Sequence, residues 1–210
     1  MELEEISVKL QNGRAKEVKN LVQQAIDEGY PAEEILEQGL LSGMNVIGEK
    51  FRNNEVFIPE VMMAARAMKM GAELLKPLLS EDNTQVKGRV CIGTVRGDLH
   101  DIGKNLCKMM LDGKGLEVVD IGVDVEPEVF VQTAVEQDCR VICCSALLTT
   151  TMEVMKEVVE KRDNAGLKDK VYVMIGGAPV TDEYRAMIGA DVYTPDAASC
   201  AVKAVELCMR

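Results

Sequence analysis

The only histidine of the chain, His100, follows a carboxylate, Asp98, by two residues within the stretch 97–105. At this spacing the carboxylate can accept the proton of one imidazole nitrogen, which leaves the other nitrogen free for a metal or a substrate. The stretch follows a short apolar run rich in β-branched residues, 89–95, and precedes a run with helical periodicity, 105–111. The pattern predicts a ligand-binding loop at the carboxyl end of a strand, where open α/β sheets bind their ligands.

From residue 88 onward, apolar runs typical of strands alternate with helical stretches. Strict alternation indicates an α/β fold with a doubly wound parallel sheet and helices on both faces. We expect five strands in the flavodoxin-like order, with the ligand at the point where the strand order reverses. The predicted strands are 90–95, 117–122, 141–146, 171–175 and 191–193, and the predicted helices are 105–111, 127–138, 152–163, 182–188 and 197–209.

The first 80 residues show helical periodicity and no convincing strand. Four helices with short connections are typical of a small antiparallel bundle, and Pro31 is expected at the first position of the third. Periodicity alone leaves open a bundle that serves in dimerisation or as a scaffold. A polar, aperiodic stretch then marks a linker. The predicted domains are a helical domain at 1–80, a linker at 81–87 and an α/β domain at 88–210.

The composition excludes several classes of function. The formal net charge is −11 and no basic cluster occurs, which argues against partners that are nucleic acid or anionic membrane. No apolar run approaches the roughly 20 residues that span a bilayer, and the acidic N-terminus is unlike a secretory signal, so we expect a cytoplasmic protein. The seven cysteines lack C-x-x-C and zinc-finger spacings and are expected to be reduced packing residues.

Other motifs that could explain the histidine loop fail in detail. A phosphate-binding P-loop needs four residues between its glycines, whereas five separate Gly97 from Gly103, and Asn105 replaces the magnesium-binding hydroxyl. Residues 93–97 do not supply the G-x-G-x-x-G of a dinucleotide site. A response regulator would need a phosphorylatable aspartate after the third strand, where Ser145 begins Ser-Ala-Leu instead. Ser145 also lacks the elbow motif of a hydrolase, and one histidine without a cysteine cluster is a poor zinc site.

The stretch 97–105, GDLHDIGKN, contains without a gap the D-x-H-x-x-G signature of the cobalamin-binding domains of methionine synthase and of corrinoid methyl-carrier proteins. The Ser145–Leu147 tripeptide resembles the S-x-L element of the same family, and the pair Gly176 and Gly177 follows in register. The chain is therefore similar to the corrinoid proteins of methylamine, methanol and methoxyarene methyltransferase systems. In that family the histidine is the lower axial ligand of cobalt.

The resemblance implies a role for each matching residue. His100 would be the metal ligand, Asp98 would adjust its basicity, and Thr151 would complete a catalytic His-Asp-hydroxyl proton relay. Gly103 would let the nucleotide tail of the cofactor pass close to the backbone, and Ser145 would bind the displaced benzimidazole. The implied cofactor-binding residues are Asp98, His100, Asp101, Ile102, Gly103, Ser145, Leu147, Thr149, Gly176 and Gly177, with Phe51, Ile58 and Val61 covering the corrin from a helical cap.

The resemblance also implies a function. The cofactor would be cobalamin, cycling between the methylcobalamin and Co(I) states, and the protein would carry a methyl group while not being a complete enzyme alone. The implied partners are a substrate:corrinoid methyltransferase, a corrinoid:acceptor methyltransferase that uses a thiol or tetrahydrofolate, and a reductive activase. A cobalamin-dependent sensor is the alternative, which the lack of a basic helix-turn-helix segment disfavours. A mutase subunit would need a barrel that the chain lacks.

Overall fold

The structure is a computed structural model that describes residues 3–78 and 87–210. It divides into two compact units, Met1–Gln85 with Gly113–Gly115 and Val86–Asp112 with Leu116–Arg210, here called the helical unit and the sheet unit. The predicted linker at 81–87 lies outside the described residues except for Lys87. Within the described ranges, no helix has the length and apolar character that crossing a membrane requires.

The helical unit contains the four predicted helices. They are α1 (Leu3–Gln11), α2 (Ala15–Asp27), α3, and α4 (Ile58–Leu75). Helix α3 is continuous through Ala32–Glu34, a π-helical segment Ile35–Leu41, and Ser42–Arg52. Pro31 was expected inside α3 but is its N-cap, because its extended backbone (ψ 137°) precedes the first helical turn. An N-cap carries non-helical dihedrals, and proline can supply them there.

Two glycines of α3 allow α1 to pack closely against it. A Cβ atom on Gly43 would lie 2.9 Å from the carbonyl oxygen of Ser7, and one on Gly39 would lie 3.1 Å from the side chain of Ile6. Ile6 and Leu10 of α1 are fully buried. The bundle thus gains its core from the apolar stripe of each helix and its close helix spacing from small residues.

The sheet unit contains five parallel strands in the order β2-β1-β3-β4-β5, which confirms the flavodoxin-like prediction. The strands are β1 (Arg89–Val95), β2 (Glu117–Val125), β3 (Val141–Ser145), β4 (Tyr172–Gly176) and β5 (Val192–Tyr193). The helices are α5 (Ile102–Asp112), α6 (Pro127–Glu136), α7 (Glu153–Asn164), α8 (Asp182–Ile188) and α9 (Ala197–Cys208). The strand order reverses between β1 and β3, so the loops after these two neighbouring strands meet at the ligand-binding edge.

The inner strand β1 is buried from Val90 to Val95, as a strand covered on both faces should be. Helices α6 and α7 pack together on the sheet around a core that includes Phe130, Ile142 and Met155. Helices α5 and α9 also pack against each other. This arrangement fixes the carboxyl edge of the sheet, and with it the loop after β1.

A buried arginine joins α7 to the strands beside it. The side chain of Arg162 is fully buried, and its Nη1 donates to the carbonyl oxygen of Val171 and to Oδ2 of Asp191, both at 2.7 Å. The same Asp191 oxygen accepts the backbone N–H of Val173 at 2.7 Å. The guanidinium therefore holds the carboxylate and carbonyl groups that precede β5 and β4.

Replacing Arg162 by Met should destabilise the protein by about 3 kcal/mol, because the partly buried carboxylate of Asp191 would lose its cation and the carbonyl of Val171 its donor. The matched control is Lys161→Met on the same helix. Lys161 pairs with Glu128 at the surface, where an ion pair contributes about 1 kcal/mol or less. Urea unfolding of the two variants measures both effects, and equal midpoints would show that the buried network is not needed for stability.

Candidate functional site

Within the loop after β1, one of the two ring nitrogens of His100 is bound to a carboxylate and the other is left free by the described residues. Its Nδ1 lies 2.6 Å from Oδ1 of Asp98, and its backbone N–H donates to the same oxygen at 3.0 Å. Asp98 is fully buried, whereas the side chain of His100 is 52% exposed. Because an ionised carboxylate only accepts, Nδ1 carries the proton, and Nε2 has no partner among the described residues. The geometry presents an imidazole nitrogen with a free lone pair to a ligand outside the loop.

The second oxygen of Asp98 binds the loop after β3. It accepts the backbone N–H groups of Leu147 at 2.7 Å and Leu148 at 3.2 Å, and the hydroxyl of Thr151 at 3.2 Å. Burial by itself raises the pKa of Asp98, but the hydrogen bonds from His100, Leu147 and Leu148 outweigh it and hold the pKa well below its usual range. Asp98 therefore remains an anion that fixes the imidazole and joins two loops.

Two further residues, Thr94 and Asp124, bind the backbone of the histidine loop, and the sequence analysis missed both. The buried hydroxyl of Thr94 in β1 donates to the carbonyl oxygen of His100 at 2.8 Å. Asp124, near the end of β2, donates its backbone N–H to the carbonyl oxygen of Asp98 at 3.0 Å and accepts the N–H of Gly97 at 2.7 Å. A lone hydroxyl in the apolar run of β1 was the available signal for Thr94. Asp124 acts through both its carboxylate Oδ1 and its backbone N–H, in a residue with φ 54°, and had no such signal.

The predicted cofactor glycines differ in why they lack a side chain. A Cβ atom on Gly103 would meet no atom within 4 Å, so nothing in the protein itself requires glycine there. On Gly177, with φ 134°, it would lie 1.9 Å from the carbonyl oxygen of Ala146. On Gly176 it would lie 3.3 Å from the carbonyl oxygen of Thr194. Gly103 leaves room for a ligand, whereas Gly177 is required by the close approach of the loops after β3 and β4.

The remaining predicted residues of the sheet unit, together with Leu99 and Leu148, which were not predicted, add apolar and polar groups to the loops after β1 and β3. Leu99 and Ile102 are each 72% exposed, and Leu147 and Leu148 are also exposed. The Ser145 hydroxyl has no hydrogen-bond partner among the described residues. Thr149 is exposed, and so is Asp101, which accepts the side-chain N–H of Asn105 at 3.0 Å. Exposed apolar side chains around one free imidazole nitrogen suit a large planar ligand that carries a metal.

The described residues contain no group of three or more His, Cys, Asp and Glu side chains that could hold a metal ion unaided. His100 alone fits a metal whose other ligands come from a macrocycle. The open space at Gly103 and the unpaired hydroxyl of Ser145 fit the nucleotide tail of such a cofactor. The residues present therefore suit cobalamin.

The three cap residues have different surroundings within the helical unit. Phe51, at the end of α3, is half-buried, and Ile58, at the start of α4, is exposed. Val61 is fully buried on the same face of α4 as Ala64 and Leu75. The sequence analysis passed over Phe57, an exposed aromatic residue that is the N-cap of α4. The predicted contact of Phe51, Ile58 and Val61 with the cofactor stays a prediction.

The fold and site together define an α/β protein whose sheet presents one free histidine nitrogen at its switch point, an arrangement that suits a metal-bearing macrocycle. Residues 88–203 match the model of a B12 binding domain, and residues 2–76 match a second model with the same description. The chain is 43% identical over 206 residues to a dimethylamine corrinoid protein from Methanosarcina barkeri, covering 98% of this chain and 96% of that protein. It is 40% identical to a trimethylamine corrinoid protein from the same organism, covering 90% of this chain and 87% of that protein.

Solved structures agree with these matches. The methanol:cobalamin methyltransferase complex MtaBC from Methanosarcina barkeri aligns with a TM-score of 0.87 and 30% identity, over 97% of this chain and 78% of that chain. A cobalamin-binding protein from Desulfitobacterium hafniense DCB-2 aligns with a TM-score of 0.80 and 28% identity, over 100% of this chain and 98% of that chain. The chain belongs to the B12-binding family of corrinoid proteins, and its cofactor is cobalamin.

Replacing each of two glycines by alanine should separate a ligand glycine from a structural one. Gly103→Ala should change stability by no more than about 1 kcal/mol, since helical alanine is favourable and meets no neighbour. It should weaken cobalamin binding by about tenfold or more through overpacking against the cofactor. Gly177→Ala should destabilise the cobalamin-free protein by at least about 3 kcal/mol, because it combines a clash with a strained φ.

The measurements are urea unfolding of the cobalamin-free proteins and equilibrium titration with cobalamin. Unchanged affinity in Gly103→Ala would show that the cofactor does not approach this helix turn. A fully stable Gly177→Ala would show that the loops after β3 and β4 can separate without cost.

Proposed function

We propose that this corrinoid protein carries a methyl group from a methylated amine to a second methyltransferase, with His100 as the lower ligand of cobalt. Bound cobalt supplies the chemistry, since it can accept a methyl group and give it up again. The observation that carries the proposal is the free Nε2 of His100, held in place by the buried Asp98. The amine donor rests on relatives named as dimethylamine and trimethylamine corrinoid proteins, which also favour a carrier over a sensor.

His100 and Asp98 divide the work of ligation. Nε2 would bind the metal, while the bond from Nδ1–H to Asp98 fixes the ring orientation and increases the basicity of the ligand. Thr151 lies against the other oxygen of Asp98 at 3.2 Å and also donates to the carbonyl oxygen of Leu148 at 2.9 Å. We assign Thr151 to the His-Asp-hydroxyl relay of hydrogen bonds, in which its one hydroxyl proton would be shared between the Asp98 carboxylate and the Leu148 carbonyl and would help to hold Asp98 as the anion that faces His100.

The other residues of the proposed site would bind the nucleotide tail and shield the corrin. Gly103 and Ser145 would receive the nucleotide tail, with Thr149 as a further polar contact and the pair Gly176 and Gly177 on the other wall. Asp101, Ile102 and Leu147 would contact the lower side of the corrin. A helical cap at 1–80, joined by a linker at 81–87 to the cobalamin domain at 88–210, would cover the upper side through Phe51, Ile58 and Val61 and exclude water from the metal.

The proposed partners supply the steps that this site would not perform itself. One methyltransferase would load the methyl group and another would unload it to a thiol or to tetrahydrofolate, because the described site offers no folate-binding or thiol-activating groups of its own. A reductive activase would restore the cofactor after oxidation. Each partner must reach the metal from the side opposite His100, since transfer requires near contact between the donor and the metal.

Replacing His100 by Ala should remove the histidine ligand while the rest of the site stays intact. We expect a visible spectrum typical of cobalamin without a nitrogen lower ligand, and an affinity for cobalamin that falls about tenfold or more. Free imidazole should restore part of the original spectrum by occupying the vacated space. A spectrum identical to that of the unchanged protein would refute the assignment of His100 to cobalt.

The carrier function is tested with the cobalamin-loaded protein and purified dimethylamine, trimethylamine and methanol methyltransferases. The reduced protein, given dimethylamine or trimethylamine and the loading enzyme, should acquire the spectrum of the methylated cofactor, and methyl iodide is the chemical positive control. Methanol is the competing donor. Methylation by methyl iodide but by none of the enzymatic donors would contradict the carrier proposal, and methylation with methanol alone would contradict the amine donor.

A further inference from the structure

A buried lysine lies at the start of α5, directly after the open glycine of the site. The side chain of Lys104 is only 4% exposed, which is rare for lysine. Its Nζ donates to both carboxylate oxygens of Asp120, at 2.7 and 2.8 Å, and to Oδ1 of Asn105 at 2.9 Å. An ammonium group has three hydrogens, and here each of them has an acceptor.

The bond from Lys104 to Asn105 links the ion pair to the residue next to His100. Because Nζ only donates, it can bind only the oxygen of the Asn105 amide, so the nitrogen of that amide faces the other way. Nδ2 of Asn105 donates to Oδ2 of Asp101 at 3.0 Å, and the backbone N–H of Asn105 donates to the carbonyl oxygen of Asp101 at 2.8 Å. Asp101 directly follows His100. A continuous chain of hydrogen bonds thus runs from Asp120 to the residue beside the ligand.

The anchor of this chain is itself fixed in the sheet. Asp120 lies in β2 where the pairing with β1 shifts register between Ile92 and Gly93, and its Oδ1 accepts the backbone N–H of Gly122 at 3.0 Å. Burial raises the pKa of Asp120, but the bonds from Lys104 and Gly122 outweigh it, so the pKa is lowered and the carboxylate stays charged. The chain therefore begins at a charged group that a β-bulge holds in position.

Stability alone gives little reason to bury this lysine, because the side chain of its partner Asp120 is 24% exposed. Removing the ammonium from water carries a desolvation cost that often equals or exceeds the attraction within such a pair, and an apolar residue of similar size is frequently as stabilising. What an ion pair adds is a defined geometry. At this position the geometry it defines is that of the helix turn containing Gly103 and of the loop containing His100.

We propose that Lys104 is a positioning residue for the cobalt ligand, acting through Asn105 and Asp101 to fix the loop of His100 and the first turn of α5. The inference rests on the proposed ligation by His100, and it deepens that proposal by naming what presets the ligand. A preset ligand loop binds more tightly because less ordering remains to be done when cobalamin binds.

Three substitutions test the chain. Lys104→Met removes the ammonium, and Asn105→Leu breaks the link to Asp101 while leaving the ion pair with Asp120 intact. Lys108→Met is the matched control, because Lys108 also contacts Asp120, at 3.4 Å, but is partly exposed and does not bind Asn105. Since the chain has one histidine, each protein gives a single set of imidazole signals in nuclear magnetic resonance spectra.

In the cobalamin-free proteins, Lys104→Met and Asn105→Leu should shift or broaden the His100 imidazole signals, whereas Lys108→Met should leave them unchanged. Cobalamin should bind the first two variants about tenfold or more weakly, and the control with unchanged affinity. If Lys104→Met does not fold, Asn105→Leu decides alone. Unchanged imidazole signals and unchanged affinity in Asn105→Leu would overturn the proposal.

The outcome is separable from that of the proposed ligation. If His100→Ala leaves the cobalamin spectrum unchanged, the ligand assignment fails, while the imidazole signals of the cobalamin-free variants still show whether Lys104 positions the loop. If His100→Ala behaves as expected and the three variants do not, only the positioning role is refuted.

Discussion

The structure of the site depends on one buried carboxylate, that of Asp98. It receives five hydrogen bonds: two from His100 on one oxygen, and three from Leu147, Leu148 and Thr151 on the other. A buried charge without partners would be strongly unfavourable, so each of these donors stabilises the anion, and the anion in turn orders the donors. The loop after β1 and the loop after β3 are therefore held as one surface.

The sheet topology makes this junction possible. Strands β1 and β3 are adjacent although β2 lies between them in sequence, and Thr94 pairs directly with Ser145 in their register. Each strand thus ends at the same height, and the two loops begin side by side. The two paired hydroxyl residues then have different tasks: Thr94 holds the His100 carbonyl inside the protein, while Ser145 has no partner among the described residues.

Much of this could be predicted from the sequence because the signals are local. The motif around His100, the alternation of strands and helices, and the four helical segments depend on residues close in the chain, and the fold they predicted is confirmed. The strand order was also predicted correctly, although its support was only the regular alternation of strands and helices. The ends of elements were less exact, since α5 begins at Ile102 and β2 continues to Val125.

What the sequence did not predict depends on contacts between distant residues. Lys104 and Asp120 are 16 residues apart in the chain. Asp124 is 27 residues from Gly97, whose N–H its side-chain oxygen accepts, and its own N–H donates to the carbonyl oxygen of Asp98. The two glycine positions look alike in sequence, yet Gly177 is fixed by the backbone of Ala146 and Gly103 by nothing in the protein. Only the structure shows that Gly177 is required by contacts within the protein, whereas Gly103 has open space beside it.

The distribution of these contacts also bears on the proposed ligation, in which His100 would bind a metal through Nε2 while Nδ1 stays bound to Asp98. Every bond described at Asp98 lies on the protein side of the imidazole, and Nε2 takes part in none of them. Loss of the metal bond would therefore remove no protein contact of the histidine. Under this proposal the ring stays oriented with and without the metal bond, so repeated binding and release need not include repeated ordering of the loop.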